Sequence, residues 1–193
     1  MVNIKIILGS TRDARFGRKV ADWVVSEVEK NKNINLELID LKEYNIPFFN
    51  LASNPSYMPD PGYTGDTAKL QEKLKEADGF IIVTPEYNHG YPGVLKNMID
   101  TFYNEWKIKP VSFVSYGGIS GGIRAVEQLR LVMIELHMVN IRDAVHIPFI
   151  FNQFSEEGLI KEEVKENAHI ELMIKDLEWW AKTLKLPREE KLK

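Results

Sequence analysis

Cysteine is absent from the 193-residue chain, which excludes disulfides, thiolate nucleophiles, iron–sulfur clusters and Cys-ligated zinc. Any redox chemistry must therefore come from something the protein binds. A dominant charge is also lacking, because 25 Lys and Arg against 28 Asp and Glu leave a formal charge of −3 with both signs interspersed. No large positive field then recommends nucleic acid or an anionic membrane as partner. Long apolar runs are missing too: the opening Val2-Asn3-Ile4-Lys5-Ile6-Ile7-Leu8 is too short to span a bilayer, and no small-residue cleavage site follows it. A cytoplasmic protein is expected. The 4 histidines, His89, His137, His146 and His169, show no metal-ligand spacing, and His89 is expected to face solvent. Neither G-x-x-x-x-G-K-[ST] nor G-x-G-x-x-G occurs, and no serine sits in a nucleophile elbow, which disfavours nucleoside triphosphates, a Rossmann-bound dinucleotide and hydrolytic chemistry.

What is present is a βαβ rhythm at 44% hydrophobic content, with no interior stretch that looks like a linker, so residues 1–193 are expected to form one domain. The first strand, 2–8, ends at Gly9-Ser10 and is followed by a helix with Phe16, Val20, Trp23, Val24 and Val28 on one face. Residues 34–41 alternate only partially, as an edge strand does. From Lys42 to Gly65 there is no periodicity; Pro47, Pro55, Pro59 and Pro61 prevent a regular element, and the segment is expected to be a mobile loop. Asp66 is placed to cap a helix carrying Leu70, Leu74 and Ala77. The buried strand 79–84 comes next, and a helical face then runs from Leu95 through Met98, Ile99 and Phe102 to Trp106. A strand at 111–115 turns through Gly117-Gly118-Ile119-Ser120-Gly121-Gly122 into a helix bearing Val126, Leu129, Val132, Met133 and Leu136. A last strand around 141–150 precedes a long helix with Ile170, Met173, Ile174, Leu177, Trp180 and Leu184. Five strands alternating with five helices imply an α/β, doubly wound parallel sheet of order 2-1-3-4-5 with helices on both faces. The loops after Leu8 and Val83 would then flank one crevice at the switch point.

The second of those loops, Thr84-Pro85-Glu86-Tyr87-Asn88-His89-Gly90-Tyr91-Pro92-Gly93, offers fixed amides and carbonyls at the sheet edge and reads as a ligand cradle. In the first loop, Arg12, Arg15 and Arg18 stand beside a helix N-terminus, where the macrodipole disfavours cations. A bound phosphate would offset them, held by first-turn amides, the Ser10 and Thr11 hydroxyls and one or two guanidiniums. Asp13 is the competing local counterion.

Pro85-Glu86-Tyr87-Asn88 followed by Gly90, Pro92, Gly93, Lys96, Asn97 and Asp100 resembles the second flavin loop of the NADPH-dependent FMN reductase family. This is the flavodoxin-like group that includes quinone, azo-dye and chromate reductases. Leu8-Gly9-Ser10-Thr11-Arg12 through Arg15 and Gly17, and Ser115-Tyr116-Gly117-Gly118 with Gly121, Gly122 and Arg124, are similar to two further loops of that family, in its order.

The resemblance implies a flavodoxin-like FMN-binding domain. Ser10, Arg12, Arg15 and Gly17 would hold the phosphate, which of Arg12 and Arg15 touches it being left open, and Phe16 would also contact the cofactor. Pro85, Glu86, Tyr87 and Asn88 would run along the isoalloxazine, and Ser115, Tyr116, Gly117 and Gly118 would meet its pyrimidine end. Tyr87 and Tyr116 either stack on the ring or close the cleft. It further implies an NAD(P)H oxidoreductase, with NADPH or NADH as co-substrate, that reduces a small acceptor (quinone, azo dye, chromate or free flavin) by a ping-pong mechanism. No side chain need act as acid or base, since the cofactor carries the chemistry. The rival readings are a flavodoxin-like electron carrier without NAD(P)H turnover and a flavin-free member of the fold. Finally, the helical segments 94–106 and 124–138 carry apolar residues on more than one face, with Leu131, Ile134 and Met138 opposite the core-facing set. A homodimer or homotetramer is expected, with the cleft beside the interface.

Overall fold

The three runs with the least polar content lie side by side at the centre of one parallel sheet. A computed structural model describes residues 1–58 and 61–191; Pro59 lies outside them. Its strands are β1 (Val2–Leu8), β2 (Ile34–Asp40), β3 (Gly79–Pro85), β4 (Pro110–Tyr116), β5 (Val139–Asn140) and β6 (Val145–Ile147). The helices among the described residues are α1 (Gly17–Val28), α2 (Gly65–Glu76), α3 (Gly93–Thr101), α4 (Ile123–Glu135), α5 (Glu162–Ala168) and α6 (Ile170–Lys191).

The strand order is β2-β1-β3-β4-β5, with β6 also paired to β4, all parallel. Every residue of β3 and β4 is buried, as expected of strands covered on both faces. The faces make two cores. One joins Ile4, Ile6, Leu8, Val83 and Val114 to α1 and α6, and the other joins Ile7, Phe80, Ile82 and Phe113 to α2, α3 and α4. At the sheet's opposite edge from the switch-point loops, the buried Asp78 carboxylate accepts from the Asn3 amide (2.9 Å) and pairs with Lys185 (2.9 Å) and Arg188, fastening the end of α6 beneath β3.

Four details depart from the sequence-based expectation. The fifth strand is two short strands, because the Arg130 guanidinium takes the carbonyls of Ile141 (2.7 Å) and Arg142 (3.1 Å) and the Ser112 hydroxyl takes that of Asp143 (2.6 Å), removing them from the ladder. The predicted helical face ends at Thr101, yet Phe102 and Trp106 remain in the core, where Trp106 Nε1 donates to the Phe102 carbonyl at 3.0 Å. Asp66 lies in the first turn of α2, whose cap position is Thr64, and accepts from the Asn45 amide at 3.2 Å. A further helix, α5, precedes the long C-terminal one. Among the described residues around the proline-rich segment, Leu41–Glu43 and Pro55–Tyr57 form short 3-10 turns.

Candidate functional site

Register brings the loops together. Leu8 stands opposite Val83, Pro85 opposite Tyr116 and Tyr116 opposite Ile147, so the carboxyl ends of four strands share one edge. Backbone bonds then bind each loop to the next: Gly9 N to Val83 O (2.9 Å), Glu86 N to Tyr116 O (3.2 Å), Gly117 N to Ile147 O (3.2 Å) and Ile150 N to Gly117 O (3.0 Å). They enclose a cleft of about 260 Å³, just under the usual range of about 300–1,000 Å³ for small-molecule sites.

Its walls hold Arg12, Arg15 and Phe16 from the first loop, Pro85, Glu86 and Tyr87 from the second, and Tyr116, Gly117 and Gly118 from the third. Four of the sequence-predicted residues are not among these walls. The buried Ser10 hydroxyl bonds the Tyr87 hydroxyl at 2.8 Å. Gly17 opens α1 where a Cβ would lie 2.2 Å from the Tyr116 hydroxyl oxygen and 2.9 Å from Leu8 Cδ1, so only glycine lets the two segments approach. Asn88 and His89, at φ 50° and 67°, form the exposed tip of a two-residue hairpin closed by Tyr87 and Gly90 at 2.8 and 2.9 Å. Ser115 is fully buried; its hydroxyl donates to Gly121 O at 2.7 Å and therefore accepts from His146 Nδ1, also at 2.7 Å, which fixes the histidine tautomer. Burial lowers the pKa of His146, with Arg130 adding to the shift.

Ala14, Ile150 and Phe151 line the cleft as well and were not singled out in the sequence. The last two lie in the loop after β6, at the same sheet edge. That position, rather than any motif, was the available signal.

The arginines of the first loop are not equivalent. Arg15 donates to the Ser10 carbonyl and pairs with the buried Asp40, while Arg18 bonds Asp22 at 2.9 Å. Asp13 is held by Lys42 at 2.5 Å, and that bond, with the lysine charge, lowers its pKa. Arg12 lies over the Tyr87 ring at 5.6 Å and is without a carboxylate partner among the described residues.

Three observations test whether these groups suit the FMN that the resemblance implies. α1 begins with no side-chain cap and no acidic residue in its first turn, so its amides and dipole are open to a phosphate. The Tyr116 hydroxyl, buried beside Gly17 at the start of α1, has no hydrogen-bond partner of good geometry among the described residues, and burial raises its pKa, so it remains a donor. At Gly118 a Cβ would meet nothing within 4 Å, leaving backbone that a ring can approach. The donor set and the cleft fit. Arg12, the first turn of α1 and Tyr116 would hold the phosphate end, and the loops at 85–87 and 117–118 would flank the ring.

A family model described as NADPH-dependent FMN reductase matches residues 2–152. An NAD(P)H-dependent FMN reductase of Schizosaccharomyces pombe is 38% identical over 119 residues, covering 62% of this chain and 60% of its own length. One from Nectria sp is 33% identical over 205 residues, covering 98% of this chain and 100% of its own. Among solved structures, the flavoenzyme NAD(P)H:(acceptor) oxidoreductase from Paracoccus denitrificans superposes with a TM-score of 0.72 at 21% identity, covering 95% of this chain and 99% of that one.

Proposed function

The chain belongs to the NADPH-dependent FMN reductase family, and from that premise we propose that it catalyses hydride transfer from NADPH or NADH to a quinone-like or other aromatic acceptor, with FMN resident in the cleft at the sheet edge. It is an NAD(P)H-dependent FMN oxidoreductase acting on small molecules. The observation that carries the reading of the cleft is the convergence of an uncapped helix N-terminus, the unpaired Arg12 and the orphan Tyr116 hydroxyl on one cavity. When bound, FMN supplies the two-electron exchange that side chains of this composition cannot.

The chain's own residues then have three tasks. Arg12 and the first-turn amides of α1 neutralise the phosphate. Tyr87, braced by Ser10 and overlain by Arg12, makes one wall, and the backbone at Gly117 and Gly118 makes another. Phe16, stacked on Phe154 at 5.6 Å, and the exposed Phe151 line the mouth with aromatic surface suited to planar substrates. Nicotinamide and acceptor share that mouth and enter in turn, so double-reciprocal plots at several fixed acceptor concentrations should give parallel lines; intersecting lines would point to a ternary complex instead.

Arg12→Ala should weaken FMN about ten- to a hundred-fold, because a hydrogen bond to a charged group contributes about 1.5–3 kcal/mol. Riboflavin, lacking the phosphate, should lose little. Titration of both flavins into apoprotein checks this, and equal losses would remove Arg12 from the phosphate.

The domain spans the chain on this reading, and the cytoplasm, where NAD(P)H is at hand, is its compartment. We also propose a homodimer, or a dimer of such dimers. Leu131 and Ile134 are 71% and 63% exposed on the outer face of α4, beside a groove of about 500 Å³ between α3, α4 and residues 49–55. Met138, expected on that face, is buried in the core instead. Light scattering at micromolar concentration should give a multiple of the 22.3 kDa chain mass, and a monomer mass would refute the assembly.

A further inference from the structure

Glu86 belongs to the cleft wall, and its carboxylate is bonded to the next loop and the start of α4. It accepts from the Ser120 hydroxyl (3.0 and 3.1 Å to its two oxygens), from the Arg124 backbone amide (3.2 Å) and from Arg124 Nη1 (2.7 Å). The side chain is only 9% exposed, whereas that of Arg124 is 43% exposed. Burial alone would raise the pKa of this carboxyl, but the bonds from Arg124 and Ser120 reverse that and lower it, so the group is ionised.

The placement answers a need of α4. Its N-cap is Gly122, which has no side chain to offer, and the first turn contains no acidic residue. A carboxylate 38 positions earlier in the chain satisfies the Arg124 amide and sits at the positive end of the helix dipole. One turn further along, Gln128 Nε2 donates to the His89 carbonyl at 2.8 Å. The loop after β3 is thus fastened to α4 at two points a helical turn apart, and the bond from Glu86 N to Tyr116 O closes the third side.

We propose that Glu86 is a positioning residue that caps α4 from a distance, holds the loops at 85–90 and 117–124 at one separation, and neutralises Arg124 beside the cleft. It thereby sets both the affinity for the flavin ring and the potential of the bound flavin. The cofactor half of this inference rests on the FMN reading of the cleft; the cap and the fixed loop separation do not. Its chemistry predicts opposite electrostatic signs for the two partners. Without the Glu86 charge, an uncompensated guanidinium favours the electron-rich flavin; without the Arg124 charge, an uncompensated carboxylate disfavours it.

The test uses Glu86→Gln, Arg124→Gln and the double variant. Amide hydrogen exchange in FMN-free protein should quicken about tenfold at residues 119–124 in Glu86→Gln. FMN and riboflavin should lose affinity by the same factor, since the phosphate end is untouched. The midpoint potential of bound flavin should rise in Glu86→Gln, fall in Arg124→Gln and lie near the wild-type value in the double variant. A packing defect moves both single variants the same way. Unchanged exchange would overturn the cap, and potentials shifted in the same direction would overturn the electrostatic role. A wild-type protein that binds no FMN would overturn the functional reading and the cofactor half with it, while exchange still decides the cap.

Discussion

Gly122→Ala should lower the melting temperature of the apoprotein by about 4–20 °C, because the substitution costs roughly 2–5 kcal/mol and a chain of this size loses about 2–4 °C per kcal/mol. The backbone at Gly122 has φ 88°, in the left-handed region, where a Cβ costs about 1–2 kcal/mol. There is also no room. The added Cβ would lie 2.7 Å from Ser115 Cβ and 3.0 Å from the Tyr116 amide nitrogen, and both belong to β4 at the centre of the sheet, so the strain of overpacking, about 1–3 kcal/mol, adds to the torsional cost. The consequences reach the cleft. Ser115 donates to Gly121 O, and Gly117 and Gly118 depend on that turn, so flavin affinity should fall with stability. Gly118→Ala is the control: its Cβ meets nothing within 4 Å and its φ is not positive, so apoprotein stability should hold. Thermal unfolding of both apoproteins decides the matter. Equal melting temperatures would show that the turn tolerates a side chain at Gly122 and that its geometry is not what supports the third loop.

The order β2-β1-β3-β4-β5 was legible because β1, β3 and β4 are short apolar runs bounded by Gly and Pro, and strands buried on both faces have that composition. Once the order is known, the loops after Leu8 and Val83 must meet, so topology placed Arg12, Pro85 and Tyr87 at one edge, while Gly117 was assigned there by the family resemblance. What escaped the sequence depends on contacts between distant residues. The division of the last strand follows from Arg130 and Ser112 reaching carbonyls in residues 141–143, and no local pattern records a side chain arriving from another element. The inequality of Arg12 and Arg15 has the same origin, since Asp40 pairs with Arg15 across 25 positions. Likewise, Phe151 faces the cleft from a loop that carries no motif, and Met138 turns inward because residues 137–139 bend back to pair beside β4.

The central claim is that this one chain with its flavin accepts electrons directly from a nicotinamide and delivers them to a small molecule. With no cysteine in the chain and no grouping of three or more metal-ligating side chains among the described residues, the bound cofactor is the place where two electrons can rest between substrates. The most direct measurement mixes purified holoprotein with excess NADPH, and in parallel NADH, without oxygen, and follows the visible absorbance of the flavin. The yellow colour should be lost within seconds with at least one nicotinamide, and a quinone added in excess over the remaining nicotinamide should restore it. An oxidised spectrum that persists through minutes with both nicotinamides would contradict the account and leave an electron carrier, dependent on a protein reductase, in its place.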